Sequence, residues 1–561
     1  MDNFRRKALE LLGVVYKDEV LEKAESIFSS LYEKWRGNKP SRETSLSEKD
    51  VILIAYGDSI TSSSGKPLQI LKKFLDGYCR EEITNLHLLP IYPSTSDDGF
   101  AVADYRQIDE KLGDWAMVEE LGKDYGLMLD AVVNHSSKSH PWFQACLAGV
   151  EPYRDYYIAA DPAADYSQVT RPRTSPLLTK FPTVAGEKYY WTTFSDDQID
   201  LNYANPQVLA EVIDLLFFYA AKGAKFIRLD AIGFIYKKLG TNCMHLKETH
   251  AIVKLMRLML EEFFPGTYLI TETNVPHQEN ISYFGEGDEA HLVYQFPLPP
   301  LVMFALQKGD TTKLTRWAQS LAATPLKKGN SYFNFLASHD GVGLRPVEGI
   351  LDREELEFLL QTVTENGGKI SYKVNPDGSK SPYELNISYL DGITNPARAK
   401  EERYRRFMAS QAIMLSLQGV PGIYYHSLLG SGNWYQGVLS TGINRKINRE
   451  KLNYEELTAE LQDPSSLRAM VFSAYKHLLK VRGSHSAFSP EAGQKVLASS
   501  PSLFMVERHN EVTGERIMAV INVTGKTVPL PQPIKGRDLL APAPRGYLTA
   551  LEPYQVAWIL L

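Results

Sequence analysis

At 561 residues, the chain is too long for one small domain and long enough for a large barrel with additions. A hydrophobic content of 44% with 23% charged residues matches a soluble globular protein. The net charge of −6 argues against nucleic acid and anionic membranes as partners, because both select basic surfaces.

The elements follow in chain order. The start, MDNFRRKALELLGVVYKDEV, is charged throughout and lacks the apolar core of a signal peptide. Residues 1–45 read as an amphipathic helical extension that ends in a polar linker, GNKPSRETSLSE. Eight short apolar runs come next, at 51–56, 85–90, 127–133, 224–230, 267–272, 291–296, 332–338 and 420–425. Helical stretches separate them, the pattern of a parallel (β/α)8 barrel. One connecting helix is marked by Asn205 as cap, Pro206 in the first turn and Gly223 as terminator. Another runs from about Leu246 to Phe264 and stops before Pro265. Two gaps are too long for a plain helix. Residues 134–204, after the third strand, form one inserted domain, and residues 341–395, after the seventh, form a second with a mobile loop. The barrel then comprises 46–133, 205–340 and 396–485, and residues 486–561 alternate as strands of a C-terminal antiparallel β domain. Cys79, Cys146 and Cys243 are odd in number and widely spaced. They form neither a disulfide framework nor a zinc motif, which predicts a reducing cytoplasm. No run approaches the roughly 20 apolar residues of a membrane span.

Barrel active sites lie at the C-terminal mouth of the strands. Four segments end there: DAVVNH (130–135), FIRLDAIGF (226–234), LITETN (269–274) and FLASHD (335–340). Three place a carboxylate where the apolar run stops, at Asp230, Glu272 and Asp340. An isolated strand-end carboxylate is more often a cap than a catalyst. Three on one rim, with His135, Arg228 and His339, point instead to chemistry at a sugar's anomeric carbon. Retaining glycosyl transfer needs one carboxylate as nucleophile and another as acid and then base, about 5–5.5 Å apart. Arg228 is two residues before Asp230 and leaves the strand on the same face, where it keeps Asp230 ionised. Glu272 must be protonated at rest, and Asp340 with His339 and His135 would hold ring hydroxyls.

In this order and at these strand ends, the four segments resemble the signature regions of the α-amylase clan, glycoside hydrolase family 13. The resemblance implies Asp230 as nucleophile, Glu272 as acid/base and Asp340 as transition-state stabiliser. Finer features resemble the sucrose phosphorylase branch. SDDGFAVADYRQID looks like the loop closing a glucose pocket, which implies Asp97 and Phe100 there, although Phe100 could equally be core. NRKINRE resembles that branch's GRxINRH and implies Arg445 beside Asp97 as a clamp on a glucose hydroxyl. TRPRTSP keeps an Arg-Pro-Arg element, implying Arg173 as an anion binder in the acceptor site. YELN resembles YQVN of the mobile loop, with Tyr383 kept and Glu384 in place of glutamine. Lys380 and Ser381 stand where sucrose enzymes have leucine and aspartate, and Phe234 stands for a tyrosine. A lysine in such a loop is often merely solvated. The more positive acceptor side nevertheless favours an anionic acceptor such as glycerate or a phosphorylated fructose.

Length and the helical extension resemble the branch's glucosylglycerate phosphorylases. The expected reaction is therefore reversible phosphorolysis of 2-O-α-D-glucosylglycerate to α-D-glucose 1-phosphate and D-glycerate. Sucrose, sucrose 6′-phosphate and glucosylglycerol remain alternative substrates, and a catalytically dead amylase-like interaction module is an alternative of another class. Partners are expected to be a small glucoside and phosphate, with a homodimer open. No cofactor is expected, since inorganic phosphate is a substrate. Asn134 matches a calcium-ligand position of many amylases, but the branch resembles metal-free members, so no metal is expected.

Overall fold

The computed structural model describes residues 2–37, 45–375, 378–541 and 546–561. Eight parallel strands close into a barrel in chain order: β1 (Ile52–Ala55), β2 (Asn85–Leu88), β3 (Gly126–Ala131), β4 (Ala224–Leu229), β5 (Tyr268–Thr271), β6 (Leu292–Tyr294), β7 (Ser331–Phe335) and β8 (Val420–Tyr424). All eight lie on the apolar runs of the sequence. Strands buried on both faces read as continuous apolar stretches, and β1, β2, β5, β6, β7 and β8 are buried at every position. The register sets the site: Arg228 of β4 stands beside Asp130 of β3 and Ile270 of β5.

Helix α3 (Pro206–Ala221) begins as its cap signals require, with the Asn205 side chain accepting the Gln207 N–H at 3.1 Å. Gly223 follows at φ 107°, a conformation that favours glycine. Helix α4 (Lys247–Phe263) packs beside it. The N-terminal helices α1 (Asp2–Val15) and α2 (Asp18–Trp35) lie against α4 and α3, respectively. Trp35 meets Phe217 and Phe264 edge-on, each at 5.5 Å. Lys34 Nζ and Trp35 Nε1 both reach Asp214 Oδ1 at 2.7 Å. The extension is thus docked on the barrel's outer helices.

The segment after β3 carries a two-stranded pair, His135–Ser137 with Gln198–Asp200, and a three-stranded sheet of Ala159–Ala160, Leu178–Thr183 and Gly186–Trp191. The segment after β7 carries the strands Val342–Gly343, Lys369–Val374 and Lys380–Asn386 with the helix Arg353–Glu365. Its longer pair has a bulge: Ser371 pairs with Glu384 but Tyr372 with Pro382, so Tyr383 is the extra residue. A bulge turns two consecutive side chains toward one face. The C-terminal region forms a five-stranded antiparallel sheet and a two-stranded one. Buried Trp558 ties the larger sheet to the barrel through Nε1 to Ser416 Oγ at 3.0 Å. Cys79, Cys146 and Cys243 are buried and unpaired. Among the described residues, no helix is long and apolar enough to cross a membrane.

Candidate active site

The strand mouths and both inserted segments enclose a cavity of about 730 Å³. Asp97, Phe100, His135, Asp230, Glu272 and Asp340 all line it. Its floor is a buried charge network. Arg228, fully enclosed, bonds Asp230 Oδ1 through Nη1 at 2.8 Å and bonds Asp130 through the same nitrogen. Its Nη2 reaches Glu272 Oε2 at 3.7 Å. His87 Nε2 lies 2.7 Å from Asp130 Oδ2. Burial alone would raise Asp130, but the Arg228 guanidinium and His87 outweigh it and hold the carboxyl below its ordinary value. A buried anion beneath the guanidinium keeps Arg228 in place, as an unpaired buried cation would not be.

The two facing carboxyls differ in their surroundings. Burial pushes Glu272 from 4.5 up to about 7, opposed by Arg228 and reinforced by the charges of Asp230 and Asp340. Burial also raises Asp230, again opposed by Arg228. Arg228 bonds Asp230 directly and meets Glu272 only at the longer distance, so the proton the pair shares rests on Glu272. The Ala231 N–H donates to Glu272 Oε2 at 3.2 Å. Ala231 itself sits at φ 48°, ψ 32°, a left-handed conformation uncommon outside glycine, immediately after Asp230. Burial works against the charged form of Asp340, yet Arg445 and then Arg449 hold it well below the usual carboxylate range. Burial drives His339 down to about 3 and leaves it neutral. Its ring stacks on Phe100 at 4.9 Å with planes 7° apart. Phe100 therefore belongs to both cavity wall and core, being 6% exposed.

The far end is built on the turn Asp97-Asp98-Gly99, with all three residues at positive φ. A Cβ at Gly99 would stand 2.9 Å from the Pro90 carbonyl, so the turn needs glycine there. Gln198 Nε2 reaches Asp97 Oδ2 at 3.2 Å and lies 3.2 Å from His135 Nε2. Gln198, which no strand-end pattern marks, is a wall residue the sequence reading does not find. Asp98 is paired with Lys446 at 2.5 Å and with Arg449.

One expected placement, that of Lys380, needs correction, and two others, Arg445 and Glu384, gain partners the sequence does not show. Arg445 does not spend its bonds on Asp97: its Nη1 lies 2.6 Å from Asp340 Oδ1, and Nε and Nη2 fork onto Glu384 at 3.0 and 2.8 Å. Asp97 acts on it only as a nearby charge. Glu384 lines the cavity, but its oxygens are engaged by Arg445 and by the Gly341 N–H. Lys380 is exposed and does not line the cavity. The bulge at Tyr383 gives the reason, because Tyr383 and Glu384 both face inward and the alternation before them is reversed. Lys373, opposite Ser381, takes the inward place instead. Arg173 lines the cavity, its guanidinium 5.9 Å from the Phe194 ring, which meets Phe234 edge-on at 5.5 Å. Burial first and then neighbouring charges, with Arg173 opposing, raise the Tyr383 hydroxyl, so Tyr383 and Arg173 stand within electrostatic reach.

Asn134 does not face an open cation site. Lys237 Nζ stands 2.8 Å from Asn134 Oδ1 and 2.6 Å from Asp200 Oδ2, and Lys237 is almost fully enclosed. Its ammonium is the cation that those two oxygens hold in this structure. Among the described residues, no cluster of His, Cys, Asp and Glu has the makings of a metal centre.

The description "Alpha amylase, catalytic domain" matches residues 75–347. In architecture, the chain superposes on sucrose 6F-phosphate phosphorylase from Thermoanaerobacter thermosaccharolyticum with a TM-score of 0.73 at 23% identity, over 85% of this chain and 94% of that one. With the barrel, the strand-mouth carboxylates and relatives 44–47% identical along nearly the whole chain, the family match defines a glycoside-acting barrel enzyme, and the chain belongs to the α-amylase family, glycoside hydrolase family 13. Within that family it is 47% identical to the glucosylglycerate phosphorylase of Allomeiothermus silvanus, over 99% of this chain and 98% of the relative. It is 44% identical to the one from Escherichia coli K12, over 91% and 92%. The sucrose phosphorylase of Streptococcus mutans is more distant, 26% identical over 85% and 96%.

Proposed function

We propose that the protein is a retaining α-glucoside phosphorylase that interconverts 2-O-α-D-glucosylglycerate and phosphate with α-D-glucose 1-phosphate and D-glycerate. The observation that carries this is the likeness to glucosylglycerate phosphorylases along nearly the whole chain. The site geometry agrees. Asp230, held by Arg228, attacks C1 of the glucosyl unit while Glu272 donates its proton to the departing glycerate oxygen. A glucosyl ester on Asp230 results, and the carboxylate now on Glu272 is the base for a returning alcohol. Phosphate is itself a competent nucleophile, so the second displacement asks less of Glu272. It forms the C1–O bond of glucose 1-phosphate and frees Asp230. Asp340, His339 and His135 would hold ring hydroxyls, and the Asp97 and Phe100 end would close over a single glucose. Arg173 and Tyr383 would receive phosphate.

Neither cofactor nor metal is part of this scheme, and the Lys237 ammonium between Asn134 and Asp200 supports a metal-free site. Three unpaired buried cysteines support a reducing cytoplasm as its location. A homodimer is included in the proposal and is checked by light scattering. The substrate is tested by an acceptor screen with glucose 1-phosphate as donor. Phosphate release dependent on glycerate, well above that with glycerol, fructose or fructose 6-phosphate, is the expected result. Preference for any of the other three overturns the choice of acceptor.

A further inference from the structure

The cavity wall holds a further guanidinium besides Arg171, Arg173 and Arg445. Arg345 lines the cavity from the short turn Arg345–Val347 and is half-buried. It forms no ion pair among the described residues. Contacts of its own segment fix where it stands. The Leu344 N–H donates to the Tyr383 carbonyl at 3.0 Å. One residue earlier, Gly343 is pressed against Asn274, where a Cβ would fall 2.5 Å from the Asn274 Oδ1. Asn274 is two residues past Glu272. On a third side the Arg345 charge reaches His245, whose N–H bonds the carbonyl of Gly233, three residues past Asp230. Arg345 therefore stands where the segments following Asp230, Glu272 and Asp340 meet. The turn of Asp97 and Phe100 follows a different strand, β2.

Charge separates the cations of this wall. Lys373 is drawn to Glu348 at 3.7 Å. Arg171 and Arg173 come from the other inserted segment, Arg171 bonding the Ser175 carbonyl and Arg173 lying over Phe194, so neither is packed on the Glu272 loop. Among the described residues Arg345 has no carboxylate partner, and its planar fork is the shape that matches a carboxylate bidentately. Covalent structure supplies the second half of the argument. In a 2-O-glucosylglycerate the carboxylate carbon is bonded to the carbon bearing the glycosidic oxygen, the atom that Glu272 protonates. A residue holding that carboxylate must come from a segment packed against the Glu272 loop, and the Arg345 segment is packed on Asn274.

We propose that Arg345 binds the carboxylate of the departing or incoming acid and so sets the enzyme's preference for an acidic acceptor, leaving Arg173 and Tyr383 to phosphate. This inference rests on the proposed function. The test compares glycerate with its neutral amide, glyceramide, as acceptors for glucose 1-phosphate, in wild type, Arg345→Gln and Arg345→Lys. The readout is the ratio of kcat/KM for the two acceptors. A hydrogen-bonded charge pair implies a fall in this ratio of roughly 10- to 150-fold in the glutamine variant. The lysine variant, which keeps the charge but not the fork, is expected to give an intermediate ratio. Equal losses on both acceptors, or an unchanged ratio, would overturn the assignment. If the glutamine variant does not fold, an unchanged ratio in the lysine variant does so alone. Wild-type protein with no glycerate-dependent turnover would instead count against the proposed function itself.

Discussion

Replacing Glu272 with glutamine removes a proton and little else. Glutamine keeps the shape of the wall, and its carbonyl oxygen can still accept the Ala231 N–H, as Glu272 does at 3.2 Å. In the wild-type protein, burial first and the charges of Asp230 and Asp340 second lift the carboxyl from 4.5 to about 7 against the pull of Arg228. That rise amounts to about 3 kcal/mol in favour of the protonated form. A placed general acid contributes about 10²- to 10⁴-fold in rate, or about 3–5 kcal/mol of barrier. The assay compares two donors in saturating phosphate, following glucose 1-phosphate: glucosylglycerate, whose alkoxide must be protonated, and α-glucosyl fluoride, whose fluoride leaves without help. Glu272→Gln should lose about 10²- to 10⁴-fold in kcat/KM on the first donor and far less on the second. The pH sign follows from the same carboxyl. The acid form is required, so wild-type kcat/KM on glucosylglycerate should fall tenfold per pH unit above about 7, while the need for ionised Asp230 gives a separate acid limb common to both donors. With the fluoride this alkaline fall should be absent. Equal losses on both donors, or an alkaline limb that survives in the glutamine variant, would place the acid elsewhere.

Other expectations concern the groups around this pair. Glu384→Gln halves the charge that holds Arg445 but leaves Asp340 as its partner, so about 1–3 kcal/mol of stability should be lost, read from urea unfolding. A loss below 0.5 kcal/mol, on the order of an ordinary surface change, would mean the fork onto Glu384 is not formed in solution. Lys237→Met leaves Asp200 buried beside Asn134 without its cation and should cost about 3–5 kcal/mol by the same measurement. Unchanged unfolding would show the pair is solvated. Lys380→Met should leave the acceptor preference as it is, because the side chain points away from the cavity. A loss of glycerate selectivity there would indicate that the bulge at Tyr383 shifts when substrate binds.

The barrel was legible because parallel strands buried on both faces must be apolar throughout, and the runs at 51–56 through 420–425 have no other simple reading. Asp230, Glu272 and Asp340 were legible for the same reason, each being the carboxylate at or just past the end of such a run. Arg228 could be placed on the face of Asp230 by alternation alone. What escaped lies in the two inserted segments and in the loop after β8, where contacts join residues far apart in sequence. The Arg445 fork onto Glu384 spans 61 positions. Whether Arg445 faces an aspartate or a glutamate there depends on how the loop folds. Lys380 was expected in the acceptor site from the resemblance of its loop alone; the bulge at Tyr383, which no local sequence signal announces, sets the inward faces of this strand and leaves Lys380 outside. Arg345 follows a Gly-Val-Gly stretch whose meaning is packing: Gly341 and Gly343 admit Glu384 and Asn274 at distances no side chain would allow. Those glycines are the one sequence hint that the segment is pressed onto the site.

The most direct test incubates purified protein with 2-O-α-D-glucosylglycerate, with and without inorganic phosphate, and follows the sugar product by proton NMR. The account predicts α-glucose 1-phosphate formed only when phosphate is present, with no comparable turnover of sucrose and none by Asp230→Asn. Release of free glucose independent of phosphate, a β-configured product, or robust phosphorolysis of sucrose but not of glucosylglycerate would contradict it.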